Sequence, residues 1–383
     1  MTINAPKGFR AAGVAAGIKE SGNKDLTLVV NDGPLDVAAG VFTRNKVKAA
    51  PVLWSQQVLQ TGRVKAVVLN SGGANACTGP EGFQDTHATA EHVAETLGIG
   101  AIDVAVCSTG LIGARLPMDK LTAGVTEAAK QLDTTPETGR DAAEGVMTTD
   151  TVPKQAQIQG DGWTIGGFAK GAGMCAPNMA TMLSVITTDA VLDPEQANAA
   201  LKNAVNVTFN NLDVDGGTST NDTVLLLCSG ASGQTPTDFT EKLTDLCRDL
   251  VAQLQADAEG VTKHITITVT GAVTDEEARE TAKVIAQDNL CKTAFFGSDP
   301  NWGRVAMAVG NAPTEFDPAK LDITINGIEV CRNGTAGEDR FKADLKGRDI
   351  VVEVNLHAGQ GKATVLTTDL SHGYVEENSA YSS

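Results

Sequence analysis

The sequence predicts an alternating α/β protein, and three features carry that expectation. Short apolar and β-branched runs recur along the chain, at 26–30, 64–70, 104–108, 163–168, 181–192, 224–229, 265–270 and 349–356. Helical patterns separate many of them, which is the signature of mixed layers. At 383 residues the chain is long for one core, so two domains or closely packed layers are expected. No fixed-period repeat or low-complexity linker divides it.

The helices follow from spacing and caps. Phe239, Leu243, Leu246, Cys247, Leu250, Val251 and Leu254 recur at 3.6-residue spacing and share one helix face. Asp238 is placed to cap that helix, with Glu241 completing a capping box. Asp193-Pro194-Glu195-Gln196 starts a second helix, and Thr274 with Glu277 a third. Asn301-Trp302-Gly303-Arg304 is expected to open another.

Composition narrows the function classes. The chain is 42% hydrophobic and 20% charged, as in an ordinary soluble protein. A formal net charge of −17 argues against a nucleic-acid or anionic-membrane surface. The N-terminal residues hold no apolar signal-peptide core, and no apolar run is long enough to span a bilayer. The expected setting is therefore cytoplasmic. Seven cysteines without Cys-x-x-Cys spacing read as reduced, mostly buried residues, and five scattered histidines mark no zinc site.

The informative places are strand ends and glycine turns. A run into Asn70 continues as Ser71-Gly-Gly-Ala-Asn-Ala-Cys-Thr-Gly79, a small polar loop where α/β proteins commonly bind ligands. Another strand ends in Ser108-Thr109-Gly110, whose hydroxyl and amide could serve as oxyanion donors or simply form a turn. Met147-Thr148-Thr149-Asp150-Thr151 is rich in hydroxyls. Glu259 follows a long helix, at the end of the dipole that disfavours an acid.

The deciding stretch is Lys170-Gly-Ala-Gly-Met-Cys-Ala-Pro-Asn-Met-Ala180-Thr181-Met-Leu-Ser-Val-Ile. Small residues through Ala180 read as a pliable loop, and Thr181 as the first residue of a strand. Lysine before the glycines, with a strand following, does not fit a phosphate-binding P-loop. A threonine hydroxyl here could attack the preceding carbonyl and free Thr181 as a new N-terminus. Its α-amine, with an unperturbed pKa of roughly 7.7–8.0, would then act as a built-in base.

This segment resembles the self-processing motif of the ornithine acetyltransferase / glutamate N-acetyltransferase family of arginine biosynthesis. The similarity extends to the blocks at 70–79, 105–113, 147–151, 206–223, 257–263, 292–304 and the tail at 374–383. Gly73 and Gly217 stand where the family pattern has Asn and Asp. The resemblance implies an αββα sandwich like that of the related self-processing aminopeptidases, over 1–262, with a smaller C-terminal α/β domain over 263–383. It implies cleavage between Ala180 and Thr181, with Thr181 as nucleophile and Thr109 and Gly110 as the oxyanion pair. Substrate contacts fall on Thr148 (or Thr149), Lys170, Thr181, Glu259, Asn378 and Ser383.

The implied activity moves acetyl from N2-acetylornithine to glutamate, giving ornithine and N-acetylglutamate, without a metal or redox cofactor. Some relatives also take acetyl from acetyl-CoA. The cleaved chains are expected to stay together as a heterodimer and pair as an (αβ)2 heterotetramer. The competing expectation is an N-terminal-nucleophile aminopeptidase or amidase, with water as acceptor. An uncut, non-enzymatic amino-acid-binding protein is the other alternative.

Overall fold

The computed structural model describes residues 2–176 and 182–380. In chain order, β1 (Phe9–Val14), β2 (Leu26–Asn31) and β3 (Val37–Phe42) lead into α1 (Ala50–Val58). Next come β4 (Ala66–Ser71), α2 (Gly79–Leu97), β5 (Val104–Thr109), α3 (Met118–Gln131) and α4 (Pro136–Glu144). Then follow β6 (Lys154–Gln159), β7 (Thr164–Lys170), β8 (Leu183–Thr188) and α5 (Pro194–Val207). β9 (Leu212–Asp213), β10 (Thr223–Cys228) and α6 (Phe239–Ala256) complete this part.

β1-β2-β4-β5 form a 4-stranded sheet and β3-β10-β8-β7-β6 a 5-stranded one. Side chains alternate across a strand, so each sheet has two apolar faces to cover. Val67, Leu69 and Cys107 of the first sheet meet Phe168, Val185 and Leu225 of the second in one buried cluster. On the opposite face, Val68 and Val106 pack with Val93 of α2 and Val125 of α3. Ile186 and Leu226 likewise pack outward with Leu201 of α5 and Leu243 of α6. Helices, sheet, sheet and helices therefore stack as the expected αββα sandwich. Burial on both faces explains why these strands read as continuous apolar runs.

The remaining elements are β11 (His264–Ala272), α7 (Asp275–Gln287), α8 (Asn289–Phe296), α9 (Trp302–Gly310), β12 (Asp322–Ile325), β13 (Ile328–Arg332), β14 (Thr335–Ala336), β15 (Asp349–Asn355), β16 (Gly361–Thr368) and α10 (His372–Ala380). Their six strands, joined by β9, form a 7-stranded sheet ordered β14-β13-β12-β15-β11-β16-β9. β9 pairs in parallel with β16, Leu212 opposite Leu366, and stitches this sheet to the sandwich. A separate core gathers Ile267, Ile285, Val309, Ile323 and Val352.

Three helix starts form as expected. Asp193 accepts from the Gln196 amide and Gln196 reaches back, while Thr274 accepts from Glu277. Asn301 caps α9 through the Arg304 amide. Asp238 does not cap α6: with φ −97° and ψ 12° it sits in a turn rather than the extended shape a capping side chain needs. The strand expected through residue 192 ends at Thr188, where Asp189 turns away to accept the amides of Lys7 and Thr164. Lys170, expected to open a loop, is instead the last residue of β7, opposite Leu183. Among the described residues, no helix is long and apolar enough to cross a membrane.

Candidate active site

The site grows from parallel strands β4 and β5, which end side by side with Ser71 opposite Thr109. Gly110 follows with φ +127°, and a Cβ there would lie 2.5 Å from the Gly73 nitrogen. Only glycine lets the chain pass this close. Gly73 in turn donates to the Thr109 carbonyl at 3.0 Å. A Cβ on Gly73 would stand 2.7 Å from Leu116 Cδ2, so Leu116 occupies space that a side chain at position 73 would need.

The end of β7 brings Lys170 to this point. Its side chain is buried, and Nζ donates to Thr148 Oγ1 at 2.7 Å and Thr109 Oγ1 at 3.4 Å. Three residues predicted from sequence thus converge. A second group forms beside it: Thr149 donates to Glu259 Oε1 and Asn378 Nδ2 to Glu259 Oε2, both at 2.8 Å. Glu259 is anchored by its own amide on the Ala172 carbonyl at 3.0 Å. Gly173 leaves room for the carboxylate, since a Cβ there would lie 2.2 Å from Oε2. Thr148 and Thr149, alternatives in the sequence, therefore engage Lys170 and Glu259 respectively. Ala180, Thr181 and Ser383 lie outside the described residues.

Behind Lys170 is a buried ionic network. Asp150 Oδ1 accepts from Lys154 Nζ at 2.6 Å and from the Gly171 amide at 2.7 Å, while Oδ2 accepts the Thr148 amide at 3.0 Å. Lys154 is fully buried and also pairs with Asp257 at 2.5 Å. Burial alone would raise the Asp150 carboxyl, but the charges of Lys170 and Lys154 outweigh it and hold it at about 2. A second acid, the half-buried Asp215, accepts from the Met174 amide at 2.6 Å and the Tyr374 hydroxyl at 3.3 Å. Burial raises Asp215, the amides of Gly217 and Met174 pull it back, and the charge of Glu259 adds to the rise. Tyr374 lies on α10, so Asp215 ties the loop after β7 to the C-terminal helix.

Sequence reasoning missed Asp150, Lys154, Asp257, Asp215 and Tyr374. Asp150 lay inside a segment noted for its hydroxyls, and the downstream block contained Asp215. Nothing local marks Lys154, because lysine is ordinarily a surface residue.

A buried lysine, threonine hydroxyls and a glycine turn gathered at the strand ends of an αββα fold are the kind of donors an acyl-transfer enzyme aims at an oxyanion. The chain belongs to the ArgJ family, whose sequence model matches residues 10–383. It is 61% identical over 389 residues to the arginine biosynthesis bifunctional protein ArgJ of Mycolicibacterium paratuberculosis, covering 100% of this chain and 96% of that relative. The protein of the same name from Thermobifida fusca is 58% identical over 384 residues, covering 100% of both. Among solved structures, ornithine acetyltransferase complexed with ornithine, from Mycobacterium tuberculosis, is 63% identical. The match has a TM-score of 0.46 and covers 48% of this chain and 96% of that one.

Proposed function

We propose that the protein transfers acetyl from N2-acetyl-L-ornithine to L-glutamate through an acetyl ester on Thr181, after cleavage between Ala180 and Thr181. One observation carries the substrate assignment. Adjacent threonines link a cation, Lys170, and an anion, Glu259, so opposite charges flank one short segment. That arrangement suits an amino acid with a carboxylate at one end and an ammonium at the other. Lys170 and Thr148 receive the carboxylate, while Glu259 and Asn378 receive the ornithine side-chain ammonium. Ser383 completes the pocket from the tail.

In the first half-reaction Thr181 Oγ attacks the acetyl carbonyl and its α-amine takes the hydroxyl proton. The oxyanion is held by Thr109 and Gly110. Collapse expels the α-amine of ornithine, which takes the proton from the Thr181 ammonium. The glutamate amine then attacks the ester, and its proton passes through the Thr181 amine to Oγ. Acetyl-CoA as a second donor to glutamate belongs to the same proposal, because the acetyl ester is common to both routes.

The proposal further treats residues 1–262 as the catalytic unit and 263–383 as a C-terminal unit that contributes the substrate-contacting tail. The cleaved chains stay together, since β8 lies inside the sheet between β10 and β7. They pair as (αβ)2 in the cytoplasm.

The test joins intact mass to an acetyl-transfer assay. Purified protein should consist of chains 1–180 and 181–383 and should convert N2-acetylornithine and glutamate into N-acetylglutamate. Thr181→Ala should remain one chain and be inactive. Release of free acetate at a rate indifferent to glutamate, with no N-acetylglutamate formed, would replace the transferase by the water-accepting hydrolase.

A further inference from the structure

We propose that Asn221 and Asp222 are positioning residues for acetyl transfer, a two-residue clamp that fixes the chain just after the nucleophile against β5, the strand carrying Thr109. This assignment rests on Thr181 as the nucleophile. Asn221 Nδ2 donates to the Ser108 carbonyl at 2.8 Å and to the Ala74 carbonyl at 2.6 Å. Ser108 immediately precedes Thr109 in β5. Asp222 Oδ1 accepts the Met182 amide at 3.0 Å, and Met182 immediately follows Thr181 in the chain. The Thr223 amide donates to the Met182 carbonyl at 3.1 Å, so Met182 is gripped through both its main-chain polar groups. Consecutive side chains thus hold one residue adjoining the oxyanion threonine and one adjoining the nucleophile, across two different sheets.

The clamp is itself rigidly held. Asn221 and Asp222 are buried, and Asn221 Oδ1 accepts the Thr220 hydroxyl at 2.6 Å. The Asp222 carbonyl accepts the Thr43 amide at 2.9 Å. Asp222 Oδ2 has no hydrogen-bond partner among the described residues, and the Thr43 hydroxyl is committed to the Ser219 carbonyl at 2.6 Å. Burial pushes the Asp222 carboxyl well above its ordinary range, against the Met182 amide and the charge of Lys170. Asp222 meets Met182 through one accepted hydrogen bond at Oδ1, a role an asparagine amide oxygen can reproduce. A reacting atom displaced by about 1 Å costs on the order of 100-fold in rate, so loss of either grip should appear in turnover before binding.

The experiment compares Asp222→Ala, Asp222→Asn, Asn221→Ala and the shape-preserving Asn221→Asp in the full chain. It measures the cleaved fraction by intact mass, the unfolding midpoint, and kcat and KM per cleaved enzyme. Asp222→Ala and both Asn221 variants should lower kcat by about 10- to 100-fold with KM changed less than about 3-fold. Asp222→Asn should restore kcat to within about 3-fold of wild type. A folded but uncut Asp222→Ala beside a normally cut Asp222→Asn also counts for the clamp, because cleavage uses the same hydroxyl. Should Asp222→Ala fail to fold, the Asn221 variants and Asp222→Asn decide. Wild-type kcat in the Asn221 variants, or Asp222→Asn as impaired as Asp222→Ala, overturns the assignment. Thr181→Ala is the separate control: acetyl transfer surviving in it removes the nucleophile, whatever the clamp variants do.

Discussion

Asp150→Asn removes one charge from the network behind Lys170 while keeping the side chain's shape. In the folded protein Asp150 is held at about 2, below its ordinary 3.8, because Lys170 and Lys154 outweigh the cost of its burial. That difference corresponds to about 2 kcal/mol of folding free energy. The folded carboxyl releases its proton more readily than the unfolded one, so this stabilisation is complete well above pH 3.8. It is lost as the pH falls through 3.8 towards 2. Asparagine also places an amide near donors that now face a carboxylate, including the Gly171 amide 2.7 Å from Oδ1. A cost of about 2–4 kcal/mol is therefore expected at neutral pH. Denaturant midpoints should be compared with and without Asp150→Asn in the Thr181→Ala background, so that each sample is one covalent chain. The gap should shrink by about 1–2 kcal/mol between pH 7 and pH 2.5. A neutral-pH cost below about 0.5 kcal/mol, or a gap equally wide at both pH values, refutes an ion-pair role for Asp150.

Two kinetic predictions address the groups that Lys170 and Glu259 organise. Thr109→Ala should lower kcat by about 10²–10³-fold with a modest change in KM, the effect of losing one oxyanion donor; an unchanged kcat reduces Thr109 to a strand-end residue. Glu259→Gln should raise KM for N2-acetylornithine by about 10-fold, as loss of a charge-assisted bond to an ammonium requires. KM for glutamate, whose side chain carries no ammonium, should move far less, and equal changes in both constants would remove Glu259 from the ornithine end.

The legible parts of this protein were those whose causes are local. Asp193 and Gln196 lie three residues apart and need no other part of the fold to form their box. The strands around Val67 and Leu225 show themselves because both faces are buried. β1 and β3 were missed since Phe9-Arg-Ala-Ala-Gly-Val14 and Val37-Ala-Ala-Gly-Val-Phe42 are built on alanine and glycine, with little intrinsic strand preference. Among the site residues, the resemblance pointed to Thr109, Thr148, Lys170, Glu259 and Asn378, and the fold gathers them in two linked groups. It could not point to Lys154, whose partner Asp257 lies 103 residues away. Nor could spacing separate Thr148 from Thr149, because their difference is which partner each hydroxyl meets.

That difference explains why 147–151 is more than a substrate-binding segment. Its consecutive residues each engage a different part of the fold. The Met147 carbonyl accepts Lys19 Nζ at 2.6 Å, Thr148 takes Lys170, and Thr149 holds Glu259. Asp150 binds Lys154 and the Gly171 amide, while the Thr151 amide donates to Asp257 at 3.0 Å. Through Glu259 and Asn378 the same segment reaches α10. A strand-end loop tied only by its own turns could shift by an ångström at little cost. Here any shift must break bonds to β7, to the end of α6 and to Glu259, which itself holds Asn378 of the C-terminal helix. The site's precision therefore comes from bonds between segments far apart in sequence, and the motif residues can act only because that surrounding set is complete.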